Sequence, residues 1–495
     1  MGSSARGVRK ASTQQAGSSG VRQALGQLRE RLERVGFDED GVDRLVRHSG
    51  SLGFDEGLAA LRLRPGADEP LAVLVRLFLA RQTLPTAAVA GALEPVDVGE
   101  LARAGLVTVS DGTVRTRFAL QPFAGLLIAS DRLASRMRPD HVLNVGPATR
   151  MVAALTVRRP TETALDFGTG SGVQAFLAAR HCERVVGLDL NPRALRLARM
   201  NAELNGVENV EWREGNLFEP AGDERFGLVV ANPPFIISPV NELAYRDGGL
   251  EGDLFSREVV VGAAGHLEES GFATILCSWV TEPGGDGMKT PRSWLEGSGC
   301  DAWVLELVTD DPVRYAMRWN GSAGRRPEAV AAAAEHWVAD YRARGIEAIA
   351  SGAIILRKRS GPNWERFDHL AAEARGDAGE HLERVFAAQD LLLSMRDGRD
   401  LLTLRLAPAP GVKVLERRLP GGELERCRLT VEQGLPLSGR VPVEVAPVLA
   451  RLDSRRTVAD ALVEVAGEVD ALAAAAVPAL RELVARGLLV AQPSG

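Results

Sequence analysis

The fold of this chain is decided by one glycine-rich stretch, Asp166-Phe167-Gly168-Thr169-Gly170-Ser171-Gly172. The stretch follows a short β-like run at 163–165 and opens an apolar helical pattern at 173–179. Glycines permit positive φ angles and let a ligand approach the backbone, and the start of a helix favours negative charge. Strand, glycine loop and helix in this order predict a nucleotide-binding α/β fold.

A second strand ends in an acidic residue. The run 184–188 is β-like, and Asp189 follows it directly. A carboxylate about 20 positions after the glycines is suited to binding both hydroxyls of a ribose. A glycine loop alone is a weak indication of a nucleotide site, but the loop and this strand end support each other.

The most specific motif is Asn232-Pro233-Pro234-Phe235, which follows the apolar run 228–231. Two prolines cannot continue a sheet ladder, so the motif lies at the carboxyl end of a strand, where open α/β sheets bind ligands. The Asn232 amide oxygen and the Pro233 carbonyl can together accept two hydrogen bonds from one planar NH2 group. Phe235 can stack on the group that carries it. A plain proline turn explains this motif alone, but not its combination with the two features upstream.

Together the three motifs resemble the class I S-adenosylmethionine-dependent methyltransferases, in the branch that carries an N/D-P-P-F/Y/W motif. That branch methylates nitrogen, in glutamine amides of release factors, in adenine of DNA or RNA, and in guanine of ribosomal RNA. The resemblance covers about 135–360, and the run 232–253 is similar to the glutamine methyltransferases. The chain also resembles a group of actinobacterial methyltransferases with extra terminal domains. The resemblance implies a Rossmann-like seven-stranded sheet whose last strand is antiparallel.

The resemblance also implies that S-adenosylmethionine is the cofactor. Gly168, Gly170 and Gly172 would lie under its methionine part, and Asp166 would help to hold its amino group. Asp189 would bind the ribose.

The resemblance is less definite for two further parts of the cofactor site. Asn216 stands where the family usually has Asp facing the adenine amine, and an Asn there can still bind adenine. The segment 141–147 lies where related enzymes bring a loop over the cofactor, although an ordinary entry loop to the domain explains it equally well.

On the target side, the resemblance gives Asn232 and Pro233 the role of holding the accepting nitrogen. Pro234 completes the turn, and Phe235 packs on the plane of the substrate. The predicted function is therefore methyl transfer to a planar amide or amino nitrogen, with a protein side chain such as glutamine favoured. Two alternatives stay open: a base N-methyltransferase for RNA or DNA, and a catalytically silent regulatory protein that binds the cofactor.

Three folded domains are predicted after a disordered tail, 1–20, for which a nucleic-acid-binding arm is the alternative. The domain 21–130 is winged-helix-like, because helical patterns precede two alternating runs joined by Asp111-Gly112, a hairpin signal. The methyltransferase domain spans 131–360, and an accessory domain, 361–495, ends in a second winged-helix-like unit. The later strands of the central sheet are predicted at 271–277, 301–308 and 346–356, and the first strand of the accessory domain at 401–406.

Composition agrees with a cytoplasmic enzyme whose macromolecular substrate is protein rather than nucleic acid. The net charge is −6, whereas a broad nucleic-acid surface requires a basic face. The 4 cysteines are scattered and the 7 histidines do not cluster, so the sequence predicts free thiols and no metal. No apolar run approaches the length that spans a bilayer, so no membrane partner is expected.

Overall fold

A computed structural model describes residues 20–47, 54–63, 67–131, 138–240, 246, 250–281, 284–321, 326–374 and 376–491. The predicted disordered tail, 1–20, lies outside these residues except for residue 20, which begins a helix.

The N-terminal region combines helices with small antiparallel sheets. Its helices are α1 (20–34), α2 (Glu39–Arg47), α3 (Phe54–Ala60), α4 (Pro70–Phe78), α5 (Thr86–Leu93) and α6 (Val98–Arg103). Its strands are β1 (Leu84–Pro85), β2 (Val107–Ser110), β3 (Thr113–Thr116), β4 (Ala119–Phe123) and β5 (Leu126–Ser130). The predicted hairpin is confirmed, because Asp111 and Gly112 join β2 to β3, both at positive φ. A second hairpin, β4–β5, stands apart from it.

The central region is a mixed sheet of eight strands within the described residues. They are β6 (Thr161–Phe167), β7 (Cys182–Asp189), β8 (Val210–Glu214), β9 (Phe226–Ala231), β10 (Leu267–Thr281), β11 (Cys300–Asp310), β12 (Ala348–Lys358) and β13 (Glu365–His369). Their order across the sheet is β8-β7-β6-β9-β10-β12-β11-β13. Only β12 is antiparallel to its neighbours in this described sheet.

The sheet has one strand more than the seven predicted. β12, the strand expected to be antiparallel, is antiparallel, but β13 then adds to the free edge of β11. The cause is Asp301 in β11, a fully buried carboxylate that accepts hydrogen bonds from the backbone N–H of Trp364 and from the guanidinium of Arg359. These contacts turn the chain back along β11, and a local sequence pattern does not reveal them.

The described part of the central region also contains seven α-helices: α7 (Pro147–Leu155), α8 (Val173–Ala178), α9 (Pro192–Asn205), α10 (Leu254–Gly265), α11 (Lys289–Leu295), α12 (Pro312–Asn320) and α13 (Pro327–Ala343). The bounds of α9 follow from its sequence. The Asn191 side chain accepts a hydrogen bond from the Arg193 N–H at the start, and Gly206 ends the helix at φ 66°.

The C-terminal region contains the helices α14 (Gly379–Ser394), α15 (Ala446–Leu449), α16 (Val458–Ala466) and α17 (Asp470–Ala485). Its strands are β14 (Leu406–Pro408), β15 (Val412–Arg418), β16 (Leu424–Val431), β17 (Ser438–Val441) and β18 (Leu489–Ala491). The strand predicted at 401–406 is wrong, because Gly398–Thr403 forms a 3-10 turn that Asp397 caps and that buries Leu401.

Hydrophobic cores run across the predicted domain boundaries. One core joins Leu28 of α1 to Leu197 of α9. Another places Phe386 of α14 against Phe272 of β10, with ring centroids 5.2 Å apart, and includes Trp303 of β11. The terminal regions therefore supply part of the packing that supports the central sheet. None of the described helices has both the length and the apolar character needed to cross a membrane.

We expect Phe386→Ala to destabilise the central sheet by about 3–5 kcal/mol, because removing a buried aromatic ring leaves a cavity under β10 and β11. The measurement is denaturant unfolding, followed by circular dichroism through the main unfolding transition. Leu393→Ala is the matched control, since Leu393 lies on the same helix with 60% exposure. An unchanged midpoint for Phe386→Ala in that transition would show that α14 is not part of this core.

Candidate active site

The two site motifs leave the sheet side by side. β6 and β9 are parallel neighbours, with Phe167 paired to Ala231. Gly168 and Asn232 are therefore the residues that directly follow the two strands. A methyl group built on Gly168 would lie 3.8 Å from the Pro233 Cα and 3.9 Å from the Asn232 carbonyl oxygen. The predicted cofactor loop and the predicted target motif are thus brought together.

The glycine loop has a backbone that other residues rarely adopt. Gly168, Gly170 and Gly172 have φ angles of 67°, 55° and 91°. A Cβ at Gly172 would also meet the Phe176 ring at 2.5 Å. The loop is anchored to the next strand, since the Thr169 N–H donates to the Leu188 carbonyl at 2.8 Å. All three positions therefore favour glycine for backbone conformation, and Gly172 also requires it for space.

Asp166 is a buried carboxylate at the base of the loop. Its Oδ2 accepts from the Thr169 hydroxyl at 2.5 Å and from the Ala175 N–H at 2.9 Å. Burial raises the pKa of Asp166 to about 7, a nearby Asp189 charge acts in the same direction, and the two hydrogen bonds oppose it. A ligand cation at this carboxylate would favour its ionised form.

Asp189, at the end of β7, connects the loop to the next helix. Its Oδ2 accepts from the Gly170 N–H and its Oδ1 from the Asn191 N–H, both at 2.8 Å. Burial raises the pKa of Asp189, and these two hydrogen bonds offset part of that rise. Each oxygen retains a lone pair, so the carboxylate can hold the loop and still accept from ribose hydroxyls.

A cavity of about 550 Å³ opens at this edge of the sheet, within the usual range for a small-molecule site. Seven of the ten predicted site residues line it: Asp166, Gly168, Gly170, Asp189, Asn216, Asn232 and Pro234. Gly172, Pro233 and Phe235 are not among its lining residues.

The predicted segment 141–147 contributes one wall of the cavity through His141, Val142 and Leu143. Asp131, at the end of β5, holds this wall: it accepts from the Val142 N–H at 2.9 Å and pairs with both Arg193 terminal nitrogens at 2.5 and 2.6 Å. Sequence reasoning missed Asp131 and Arg193, because the pair joins residues 62 positions apart.

The chain after the target motif is fixed by two tyrosines that sequence reasoning also missed. The Ile237 N–H donates to the Tyr315 hydroxyl at 3.1 Å, and the Tyr341 hydroxyl donates to the Ile237 carbonyl at 2.6 Å. Both tyrosines are buried, which raises the pKa of each phenol, so both stay protonated. Phe235 packs edge-on against Trp319, with ring centroids 6.4 Å apart. The helices α12 and α13 therefore position the segment that follows the motif.

Within the described ranges, no group of three or more His, Cys, Asp or Glu side chains could hold a metal ion. The four cysteines are buried and form no disulfides. Burial raises the pKa of Cys182 to about 12 and that of Cys300 to about 11, so these thiols are poor nucleophiles.

Comparison with known families agrees with this geometry. Residues 144–275 match the family described as Methyltransferase small domain. This match identifies residues 144–275 as part of a class I S-adenosylmethionine-dependent methyltransferase domain. Residues 34–117 of the N-terminal region match a family described as a domain of unknown function.

The methyltransferase domain is similar to enzymes that modify glutamine. A release factor glutamine methyltransferase from Geobacter sulfurreducens is 36% identical over 142 residues, which are 26% of this chain and 50% of the relative. A ribosomal protein uL3 glutamine methyltransferase from Bradyrhizobium diazoefficiens is 35% identical over 135 residues, 24% of this chain and 42% of the relative. The chain spans about half the length of the curated relatives it matches. Among solved structures, the YcgJ protein from Bacillus subtilis aligns with 43% of this chain and 98% of its own, at a TM-score of 0.28 and 15% identity.

The residues of the methyltransferase domain fit S-adenosylmethionine. The buried Asp166 carboxylate can pair with the ammonium group of the methionine part, and Asp189 can accept from the ribose. Gly168 and Gly170 line the cavity, and without side chains they let a ligand approach the loop backbone.

We expect the affinity for S-adenosylhomocysteine to fall about tenfold between pH 8 and pH 6. In this assignment the ligand ammonium group would pair with ionised Asp166, and because burial raises the pKa of this carboxyl to about 7, at low pH it would first have to lose a proton. Titration calorimetry across this range measures the effect. Asp166→Asn should bind more weakly and without this pH dependence. A flat wild-type profile would contradict the assignment of Asp166 to the ammonium group.

Proposed function

We propose that the protein transfers a methyl group from S-adenosylmethionine to the side-chain amide nitrogen of a glutamine in another protein. The observation that carries this proposal is the position of Asn232 on the cavity wall beside Gly168. The names of the similar enzymes, which act on glutamine in a release factor and in a ribosomal protein, support a protein substrate.

The chemistry requires orientation more than acid–base catalysis. S-adenosylmethionine supplies an activated methyl group when bound. An amide nitrogen is a poor nucleophile because its lone pair is delocalised. Asn232 and the Pro233 carbonyl accept hydrogen bonds from the target NH2 group and turn its lone pair towards the cavity. Positioning and electrostatic stabilisation then supply most of the acceleration, and the proton leaves to water.

The terminal regions select the substrate in this proposal. The N-terminal domain, 21–130, is winged-helix-like, which is supported by the chain order α4-β1-α5-α6-β2-β3 and by the sheet order β1-β3-β2. In the accessory domain, 361–495, α15, α16 and α17 come between β14 and β18 in the chain, and these two strands pair with each other. Both flank the methyltransferase domain, expected at 131–360, to whose sheet β13 of the following region adds an edge strand, and both contact protein rather than nucleic acid. Four unpaired cysteines fit a reducing cytoplasm.

The substrate class is tested by transfer of labelled methyl from the cofactor into fractionated cell extract. The proposal predicts label that protease releases and nuclease does not, recovered as methylated glutamine after digestion. If only nuclease releases the label, the substrate is a nucleic acid and the proposal of a protein substrate is wrong. Asn232→Ala protein is the control for transfer by other enzymes in the extract.

Asn232→Ala should reduce single-turnover methyl transfer by more than tenfold while leaving the affinity for the cofactor nearly unchanged. The Asn232 contact strengthens as the target nitrogen pyramidalises, so it contributes to the transition state and little to ground-state binding. Asn232→Asp should be less damaging, because a carboxylate also accepts hydrogen bonds. If Asn232→Ala keeps more than about a tenth of the wild-type rate, a loss below roughly 1.4 kcal/mol, the nitrogen-clamp assignment is wrong.

Tyr341→Phe should slow methyl transfer about threefold to tenfold without changing cofactor affinity. The substitution leaves the buried Ile237 carbonyl without its donor, a cost of about 1–3 kcal/mol, and loosens the segment after the motif. Tyr315→Phe removes the matching contact to the Ile237 N–H. Because both tyrosines hold one residue, their effects on the transfer rate should be non-additive in a double-mutant cycle. Additive effects, or an unchanged rate in fully folded protein, would show that this contact does not position the motif.

A further inference from the structure

Asn201 of α9 connects the glycine loop to the N-terminal hairpin β4–β5. Its side chain is fully buried, and both of its polar atoms are used. Oδ1 accepts from the Ala129 N–H at 2.9 Å, while Nδ2 donates to the Ala129 carbonyl and to the Ser171 carbonyl, each at 2.9 Å. One amide thus holds both a strand of the hairpin and the centre of the loop.

The contact to Ser171 reaches the cofactor cavity directly. Ser171 lines the cavity and lies between Gly170 and Gly172, two residues at positive φ. Fixing the Ser171 carbonyl fixes the peptide plane that carries the Gly172 N–H, which donates to the Thr169 carbonyl at 2.8 Å. Since glycines leave this backbone free to rotate in the unfolded chain, the Asn201 bond selects the conformation that the loop needs.

A second connection runs from the same hairpin to the part of the cavity wall that His141, Val142 and Leu143 form. Asp131 directly follows β5, and its paired contact with Arg193 holds the Val142 segment in place. Both Asn201 and Arg193 belong to α9. The hairpin, which lies outside the central sheet, is therefore linked to the glycine loop through Asn201 and to the Val142 segment through Asp131.

We propose that Asn201 is a positioning residue for the cofactor loop, through which the N-terminal hairpin β4–β5 sets the affinity for S-adenosylmethionine. The proposal rests on cofactor binding in this cavity and does not depend on which nitrogen accepts the methyl group.

The chain supplies a matched control one helical turn later. Asn205 also grips the hairpin, since Oδ1 accepts from the Leu127 N–H and Nδ2 donates to the Leu127 carbonyl, both at 2.8 Å. Its remaining bond goes to the Asn201 backbone carbonyl, not to the glycine loop. Removing Asn205 therefore weakens the same hairpin without touching Ser171.

The experiment compares Asn201→Ala and Asn205→Ala in the full-length protein, with melting temperature and S-adenosylhomocysteine affinity as readouts. Both variants should melt at lower temperature than the wild type. Only Asn201→Ala should weaken binding at least about tenfold, which corresponds to about 1.4 kcal/mol. Equal losses of affinity in the two variants would show general loosening of the hairpin and overturn the proposal, as would wild-type affinity in Asn201→Ala.

Asn201→Asp keeps the experiment decisive if the alanine variant does not fold. The carboxylate has nearly the same shape and still accepts from the Ala129 N–H, but it cannot donate to the Ser171 carbonyl. It should also lose about tenfold or more in affinity, compared at the same pH with Asn205→Asp. Affinity equal to that of Asn205→Asp would overturn the proposal. Because the readout is ligand binding, a failed search for a glutamine substrate leaves this result unaffected.

Discussion

The parallel pairing of β6 with β9 is the constraint on which the site depends. Because Phe167 is paired to Ala231, the glycine loop and the Asn-Pro-Pro turn begin at the same level of the same edge. A slip of one residue would turn the side chains of β9 to the opposite face of the sheet and move Asn232 away from Gly168. The buried apolar residues of both strands make such a slip costly, so core packing also sets the distance between cofactor loop and target motif.

The same edge holds two acids in an environment that disfavours their charge. Burial raises the pKa of Asp166 and of Asp189, and backbone N–H groups at Ala175, Gly170 and Asn191 offset part of that cost. A ligand that brings an ammonium group and hydroxyl donors relieves the remainder. Perturbed acids in a cleft are typical of functional sites, and here both lie where the cofactor is expected.

Local patterns predicted the parts of the fold that local interactions determine. The hairpin expected at Asp111-Gly112 joins β2 to β3, and the strand expected at 301–308 lies within Cys300–Asp310. The motif residues could be predicted because glycine and proline restrict the backbone locally and so mark where a strand ends and a loop begins. The contacts of Asn201, Asp131 and Tyr341 join positions 72, 62 and 104 residues apart in the chain and leave no periodic signal. For the same reason β13 and the packing of α14 under the sheet could not be predicted.

The proposed function requires that a planar nitrogen receives the methyl group. It is tested most directly by nuclear magnetic resonance on product made with a carbon-13 methyl cofactor and nitrogen-15 side-chain amides. We expect a one-bond coupling between the new methyl carbon and a glutamine side-chain nitrogen. A methyl signal from the modified protein without that coupling, with the carbon bonded to oxygen, sulfur or carbon, would contradict it.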